Sequence, residues 1–216
     1  MKKILLSLSA LALLSTAANA DLLVGVEYNV MSSMTEEDEN TAGATAEADF
    51  SYQPFMLKVG FGEAGKSYTS IYYQSTELEY DDFGSSTEPF TEIGVDFVRQ
   101  FDIGVKSVNP LLEFGVGYGW MDGNYANADS RAAVSFKVGG GLSYYVVPQV
   151  ELVAGVNYQY RMWQDIDTSY TTISTSDSGV NVFVGVNVWP FTTGSTTPDA
   201  GSYEEVSNDT KDSGAY

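Results

Sequence analysis

Hydrophobic and polar residues alternate along most of this chain with a period of two, which is the periodicity of β-strands. Between residues 112 and 120 every even position is apolar, and Glu113 and three glycines occupy the odd positions. Five segments show the same uneven alternation, with one apolar face and one face of small, polar or charged residues, and three segments, the second to the fourth, follow it less regularly. The eight segments are 22–30, 50–61, 67–78, 90–99, 112–120, 133–142, 150–160 and 180–188. The pattern predicts an all-β protein with eight strands.

The connections between these segments alternate in length. The longer ones are polar and span 31–49, 79–89, 121–131 and 161–179, and the shorter ones span 62–66, 100–109 and 143–149. Long loops on one side and short turns on the other are typical of bacterial membrane barrels, whose even strand number brings both termini to the periplasmic side. We therefore predict an eight-stranded antiparallel up-and-down transmembrane β-barrel.

Glycine is the commonest residue on the non-apolar face of these segments. A soluble barrel would carry Lys, Glu and Thr on its outer face, whereas small residues suit the inside of a narrow barrel. The apolar face is therefore predicted to point outward, toward lipid. Aromatic residues near the segment ends are expected to form interfacial girdles. They include Tyr28, Tyr118, Trp120, Tyr158, Tyr160 and Trp189.

The two ends of the chain differ from this pattern. Lys2 and Lys3 precede an apolar run over 4–14 and the small residues at 18–20, which together predict a cleavable signal peptide over residues 1–20. Residues 192–216 are polar, with Gly, Ser, Thr, Pro and acidic residues, and they predict a disordered periplasmic tail. The barrel itself is expected to occupy residues 21–191.

Composition narrows the range of functions. The net charge is -19, and it becomes -21 when the two signal-peptide lysines are removed, so nucleic acid is not an expected partner. The chain has no Cys and no His, which removes thiol chemistry, the usual neutral-pH general base and the commonest nitrogen ligand for metals. We expect no catalytic site, no cofactor and no metal site.

Two glycine-rich segments carry a family resemblance. Residues 112–120 read Leu-Glu-Phe-Gly-Val-Gly-Tyr-Gly-Trp, and a second run starts with three glycines at 139–141 and continues to Tyr160. This spacing of glycine and aromatic residues resembles the small OmpA-like and OmpX-like outer-membrane barrels, most strongly from Pro110 to Tyr160. Trp189, Pro190 and Phe191 resemble the aromatic-ended last strand that the barrel assembly machinery recognises in that class, although a tail follows here.

The resemblance also bears on catalysis. Outer-membrane barrel enzymes such as lipid A deacylases, omptin proteases and palmitoyltransferases are families with an active-site His. This chain contains no His. We therefore predict a protein that is not an enzyme.

Charged residues on the non-apolar face form a predicted network in the lumen, with Arg161 nearer the outer rim. The members are Glu27, Lys58, Glu92, Asp96, Glu113, Lys137 and Glu151. Lys137 lies on the strand between those that carry Glu113 and Glu151, so buried ion pairs are expected. Such a network either stabilises the packed lumen or belongs to a gated ion path, and the first interpretation is preferred because buried charges need partners for stability alone.

Acidic residues are concentrated in the predicted loops. They are Glu36, Glu37, Asp38, Glu39, Glu77, Glu79, Asp81 and Asp82. Their oxygens could bind divalent cations, but no fixed ligand spacing such as that of an EF-hand is present. Solvated loop charge is the preferred interpretation.

These observations favour a non-enzymatic protein of the bacterial outer membrane with a structural or surface-interaction role and a narrow or plugged lumen. A small pore for ions or small solutes is the alternative. The expected partners are outer-membrane lipid, lipopolysaccharide and the barrel assembly machinery, and the protein is expected to be a monomer.

Overall fold

The computed structural model describes residues 20–80, 86–105, 107–125, 128–168 and 170–191. The described residues form ten antiparallel β-strands, and no helix among them is long and apolar enough to cross a membrane. The strands are β1 (Asp21–Asn40), β2 (Thr45–Ser51), β3 (Phe55–Glu63), β4 (Ser67–Tyr80), β5 (Ser86–Gln100), β6 (Val108–Tyr125), β7 (Ala128–Val147), β8 (Val150–Trp163), β9 (Ile166–Asp167) and β10 (Thr172–Val188).

The strands close into a ring of eight positions, which confirms the predicted eight-stranded antiparallel barrel. From β3 to β8 each strand pairs with the next one, β8 pairs with β10, and β1 pairs with β10 from Val24 opposite Val188 to Asn40 opposite Ile173. The strands β2 and β3 both pair with β1 and share one position of the ring. Pro54 lies in the break between them, because a proline has no N–H to donate to a sheet ladder. The short strand β9 pairs only with β10 among the described residues.

Side chains alternate between the outer wall and the lumen as the sequence predicts. On β1, Val24, Val26 and Tyr28 are exposed on the outer wall, whereas Glu27 and Asn29 are buried in the lumen. Apolar side chains are exposed in the same way on the other main strands of the ring. The outer wall is therefore an apolar band of the kind that faces lipid.

The strands are longer than the hydrophobic alternation predicts. Residues 31–49 and 161–179 were expected to be loops, but β1 continues to Asn40, β2 begins at Thr45 and β10 begins at Thr172. The outward residues in this extension of β1 are polar, so apolar alternation cannot reveal it. Four residues, 41–44, connect β1 and β2. We call this side of the barrel the loop end, and the side where β1 begins and β10 ends the terminal end.

A β-bulge marks the start of the extension in β1. The register with β10 shifts between Asn29 and Met31, and both Val30 and Met31 are exposed on the outer wall. Beyond the bulge, Ser32 and Met34 face the lumen.

Residues 1–19 and 192–216, which hold nearly all of the predicted signal peptide and the whole predicted tail, lie outside the described residues. So do Asp81 and Asp82 of the acidic loop set.

Candidate functional site

The lumen is filled by three layers of side chains. At the terminal end lies an apolar layer, the terminal cluster, made of Leu23, Ala64, Tyr68, Val98, Leu111, Tyr145, Val153, Phe183 and Trp189. At the loop end lies a second apolar layer, the loop-end cluster, made of Met34, Phe50, Tyr52, Leu78, Phe90, Met121, Ala133 and Trp163. Charged and polar side chains lie between them. The expectation of a lumen lined by small, polar and charged residues therefore leaves out these two apolar clusters.

Five charged side chains form the middle layer, which we call the central charged cluster: Glu27, Lys58, Asp96, Glu113 and Lys137. The Lys58 Nζ lies 2.6 Å from the Glu27 Oε2 and 3.1 Å from the Asp96 Oδ2. The Lys137 Nζ lies 2.9 Å from the Asp96 Oδ1. Each of the five residues is at least 95 % buried. Asp96 therefore joins the two lysines across the lumen.

Gly115 makes the pair between Asp96 and Lys137 possible. Gly115 on β6 lies opposite Asp96 of β5 on one side and opposite Lys137 of β7 on the other. A Cβ atom at this position would lie 2.5 Å from the Asp96 Oδ1 and 2.9 Å from the Lys137 Cε. The absence of a side chain at Gly115 therefore lets two side chains meet over the strand between them.

The partner of Lys137 differs from the sequence expectation. Glu113 and Glu151 were expected to pair with it, because they lie on the flanking strands. Glu113 instead accepts a hydrogen bond of 2.9 Å from the Asn157 Nδ2, and Glu151 lies nearer the terminal end, opposite Tyr145. Strand adjacency alone did not predict the contact with Asp96, since that contact depends on the space over Gly115.

Glu92 and Glu151 lie outside the central charged cluster, and among the described residues neither has a lysine or arginine at ion-pair distance. Glu92 accepts a hydrogen bond from the Tyr72 hydroxyl. Glu151 accepts from three neutral donors, the Gln100 Nε2 at 2.6 Å and the Asn187 Nδ2 and Trp189 Nε1 at 3.1 Å each. Two of the seven predicted network residues are thus held by separate, uncharged donors.

The predicted position of Trp189 is wrong. It was expected in a lipid-facing aromatic girdle, but it is fully buried in the terminal cluster, where its ring packs edge-on against Tyr68 with centroids 5.6 Å apart. The signal that could have placed it correctly is the phase of β10. Val184, Val186 and Val188 face outward, so the next residue faces the lumen.

Arg161 closes the lumen at the loop end. The sequence placed it near the outer rim, and the structure buries it completely. Its Nε donates to the Asp177 Oδ1 at 2.8 Å, and the Trp163 Nε1 donates to the Asp177 Oδ2 at 2.6 Å. Its guanidinium carbon lies 4.7 to 5.6 Å from the ring centroids of three aromatic residues. They are Phe50, Tyr52 and Phe90. Sequence reasoning missed Asp177 because residues 161–179 were expected to be a loop.

Little free space is left in the middle of the lumen. A cavity of about 10 Å³ lies among polar side chains that include Gln74, Glu92, Lys137 and Gln159. This volume is close to the minimum that one water molecule requires. No group of three or more metal-ligating side chains is placed to hold a metal ion in the described part of the chain. The geometry is that of a packed interior whose buried charges are held by ion pairs or by hydrogen bonds from neutral donors.

Comparison with known proteins identifies the family. A family model described as "Outer membrane protein beta-barrel domain" matches residues 4–183. No curated protein sequence matches the chain significantly.

Several solved structures are similar at low identity. Neisserial surface protein A is 19% identical, with 78% of this chain and 96% of that chain covered and a TM-score of 0.46. The outer membrane protein AlkL is 14% identical, with 80% and 92% covered and a TM-score of 0.48. The outer membrane enzyme PagL is 9% identical, with 71% and 97% covered and a TM-score of 0.41.

The family match extends over most of the chain, and it agrees with the closed ring of eight strands and its apolar outer wall. This chain therefore belongs to the outer membrane protein β-barrel domain family and is a protein of the bacterial outer membrane.

Proposed function

We propose that this protein is a non-enzymatic barrel with a closed lumen, and that it acts through its structure and its extracellular surface. The observation that carries the proposal is the pair of apolar clusters that fill both ends of the lumen. Hydrated ions do not pass through packed side-chain layers of this kind, because losing their water costs them several kcal/mol or more. The charges between the clusters are then held in place by one another.

The loop end supports the second half of the proposal. A strand needs about 9–11 residues to cross the membrane, and β1 has 20. Its outward side chains change from valine and tyrosine, up to residue 30, to Ser33, Thr35, Glu37 and Glu39. With both termini in the periplasm, roughly the last third of β1 projects from the cell surface, together with β2 and the start of β10.

This projecting sheet carries a negative surface. Glu37 lies opposite Glu47, and Thr35 lies opposite Asp49, with all four side chains exposed. Like charges directly opposite each other destabilise a strand pair. The described arginines at this end, Arg131 and Arg161, are buried and do not offset the surface charge. A negatively charged surface favours cationic partners. Where it contacts the phosphates of lipopolysaccharide, which are also negative, divalent cations are required between the two.

Conductance is the direct test of the closed lumen. The mature chain is refolded into a planar bilayer, and heat-modifiable gel mobility shows that it has folded. The proposal expects no steady single-channel current. A finite and reproducible current from folded protein would contradict it and favour the small pore.

The surface role has a separate test. Glu37→Gln, Glu47→Gln and Asp49→Asn are combined in one variant. The matched control removes three charges at the terminal end, with Asp21→Asn, Glu63→Gln and Asp102→Asn. Each protein is placed in nanodiscs, and its binding of fluorescent oligolysine is measured. Binding should fall several-fold in the first variant only. Equal binding by all three proteins would exclude this sheet as the interaction surface.

The absence of enzyme activity is also part of the proposal. Two observations support it. The chain has no His to act as a general base, and the other acid–base groups of the lumen are buried and hydrogen-bonded. Folded protein incubated with lipopolysaccharide and phospholipid should release no fatty acid, as followed by mass spectrometry. Release that depends on folded protein would overturn this part of the proposal.

A further inference from the structure

The outer wall carries a groove close to the terminal end. It crosses β3 to β7 and has a volume of about 780 Å³. Phe97, Leu112, Phe114 and Val138 line it, and each of these side chains is exposed on the lipid-facing side of its strand. Arg99 also lines the groove and is exposed. Glu63 also belongs to the lining, and its carboxylate pairs with Lys66. The groove therefore combines an apolar surface with a single described cation, Arg99.

The apolar part of the groove is built around a pair of phenylalanines. Phe97 of β5 lies directly opposite Phe114 of β6, and their rings are stacked with centroids 6.4 Å apart and planes 28° apart. Leu112 is two residues from Phe114 on the same face of β6 and lies opposite Arg99. A continuous apolar surface thus leads from the middle of the membrane down to the arginine.

Arg99 differs from the other arginines of the described chain. Arg161 is paired with Asp177, and Arg131 donates to the Gln164 carbonyl oxygen. The Arg99 side chain has no ion pair or hydrogen bond with any described residue. The nearby Lys66 is already neutralised, since its Nζ lies 2.5 Å from the Glu63 Oε1. Arg99 is therefore the one uncompensated cation in the described lining of the groove.

The position of Arg99 along its strand fixes its depth. It is one residue from Gln100, where β5 ends, and Ile93 and Phe97 precede it on the outer face. At about 3.3 Å per residue, its Cα lies some 7 Å farther along the strand than that of Phe97, toward the terminal end. Arginine side chains at such a position extend to the membrane interface while their methylene groups stay against apolar surface. The guanidinium therefore lies at the level of the headgroups of the periplasmic leaflet.

We propose that this groove binds one phospholipid of the periplasmic leaflet, with its phosphate on the Arg99 guanidinium and an acyl chain along Phe97 and Phe114. Guanidinium binds phosphate oxygens through two parallel hydrogen bonds. Ser67, directly opposite Arg99 on β4, adds a hydroxyl donor at the same level. Because the positive charge of Arg99 is not offset by the protein, the site prefers a lipid with a net negative headgroup over a zwitterionic one.

The test measures which lipid stays with the folded protein. The full-length barrel in detergent is mixed with equal amounts of phosphatidylglycerol and phosphatidylcholine, and native mass spectrometry counts the lipids retained. The wild type should hold one phosphatidylglycerol in preference to phosphatidylcholine. Arg99→Gln should lower that preference roughly tenfold, since one charge-assisted contact is lost, and Arg99→Lys should keep part of it.

A control changes a charge at the same end but outside the groove. Asp102 is exposed and does not line the groove, so Asp102→Asn should leave the lipid preference unchanged. Phe114→Ala, on the lipid-facing wall, should reduce retention of both lipids, and it tests the groove even if Arg99→Gln does not fold. Equal retention of the two lipids by the wild type, an unchanged preference in Arg99→Gln, or an equal loss of preference in Asp102→Asn would overturn the proposal.

Discussion

Replacing Lys137 with methionine removes one of the two ammonium groups from the central charged cluster. Methionine keeps most of the side-chain length, so the packing of the lumen changes little. Asp96 loses its contact at 2.9 Å and keeps only Lys58, at 3.1 Å. Three buried carboxylates, those of Glu27, Asp96 and Glu113, then face one lysine.

The magnitude follows from this geometry. At 2.9 Å and an effective dielectric constant of about 20, the attraction between Lys137 and Asp96 is about 6 kcal/mol, much of which the desolvation of both groups offsets. Removing one partner keeps the desolvation cost of the other, and such changes lower the free energy of unfolding by about 3–5 kcal/mol. Combining Lys137→Met with Asp96→Asn restores the formal charge balance of the cluster. The double variant should therefore recover about 1–3 kcal/mol relative to Lys137→Met.

The assay is reversible urea unfolding in phospholipid vesicles, followed by tryptophan fluorescence. Val138→Met is the matched control, because it places the same side chain one residue away on the lipid-facing wall, where it should change stability by under about 1 kcal/mol. A loss below about 1 kcal/mol for Lys137→Met, or a double variant no more stable than the sum of the two single changes predicts, would refute the reasoning.

Three further predictions concern other parts of the lumen. Gly115→Ala should lower the free energy of unfolding by about 1–3 kcal/mol in the same urea assay, because its Cβ would separate Asp96 from Lys137. Gly140→Ala, whose Cβ would approach other atoms no closer than 3.3 Å, should cost less, and equal losses would contradict the role given to Gly115. Brominated lipid should quench the fluorescence of the outward-facing Trp120 and spare the buried Trp163 and Trp189, so quenching should disappear in Trp120→Phe and persist in Trp189→Phe. Truncating one apolar cluster alone, with Phe90→Ala or with Trp189→Ala, should produce no current in planar bilayers, because the other cluster still closes the lumen. Current from either single variant would show that one intact cluster is not enough to close it.

The alternation of the sequence predicted the barrel because lipid imposes a simple rule on strands. Every outward residue within the membrane must be apolar, and a closed ring is the form that pairs all the strand edges. Leu112, Phe114 and the glycines between them follow that rule directly. The rule applies only to residues in contact with lipid, so the polar outward residues from Ser33 onward gave no sign that β1 continues.

The charged lumen was only partly predictable for a different reason. Alternation assigns a residue to a face, and it therefore placed Glu27, Lys58 and Asp96 inside. It carries no information on register, so it could not show that Asp96 and Lys137 stand at one height on either side of Gly115. It also treats large apolar residues on the inner face as exceptions, although Leu23 and Phe183 are part of the terminal cluster.

The bulge at Val30 separates two parts of β1 that differ in how strictly their register is fixed. Below it, a slip of one residue would turn Glu27 away from Lys58 and expose charge to lipid. At the bulge itself, β1 contains one residue more than the facing part of β10, and the pairs from Val24 to Asn29 remain in regular register. The connection over residues 41–44 is therefore an insertion site that leaves the pairs beneath the bulge in place, whereas Met34 and Phe50, which lie beyond the bulge, are fixed by the loop-end cluster.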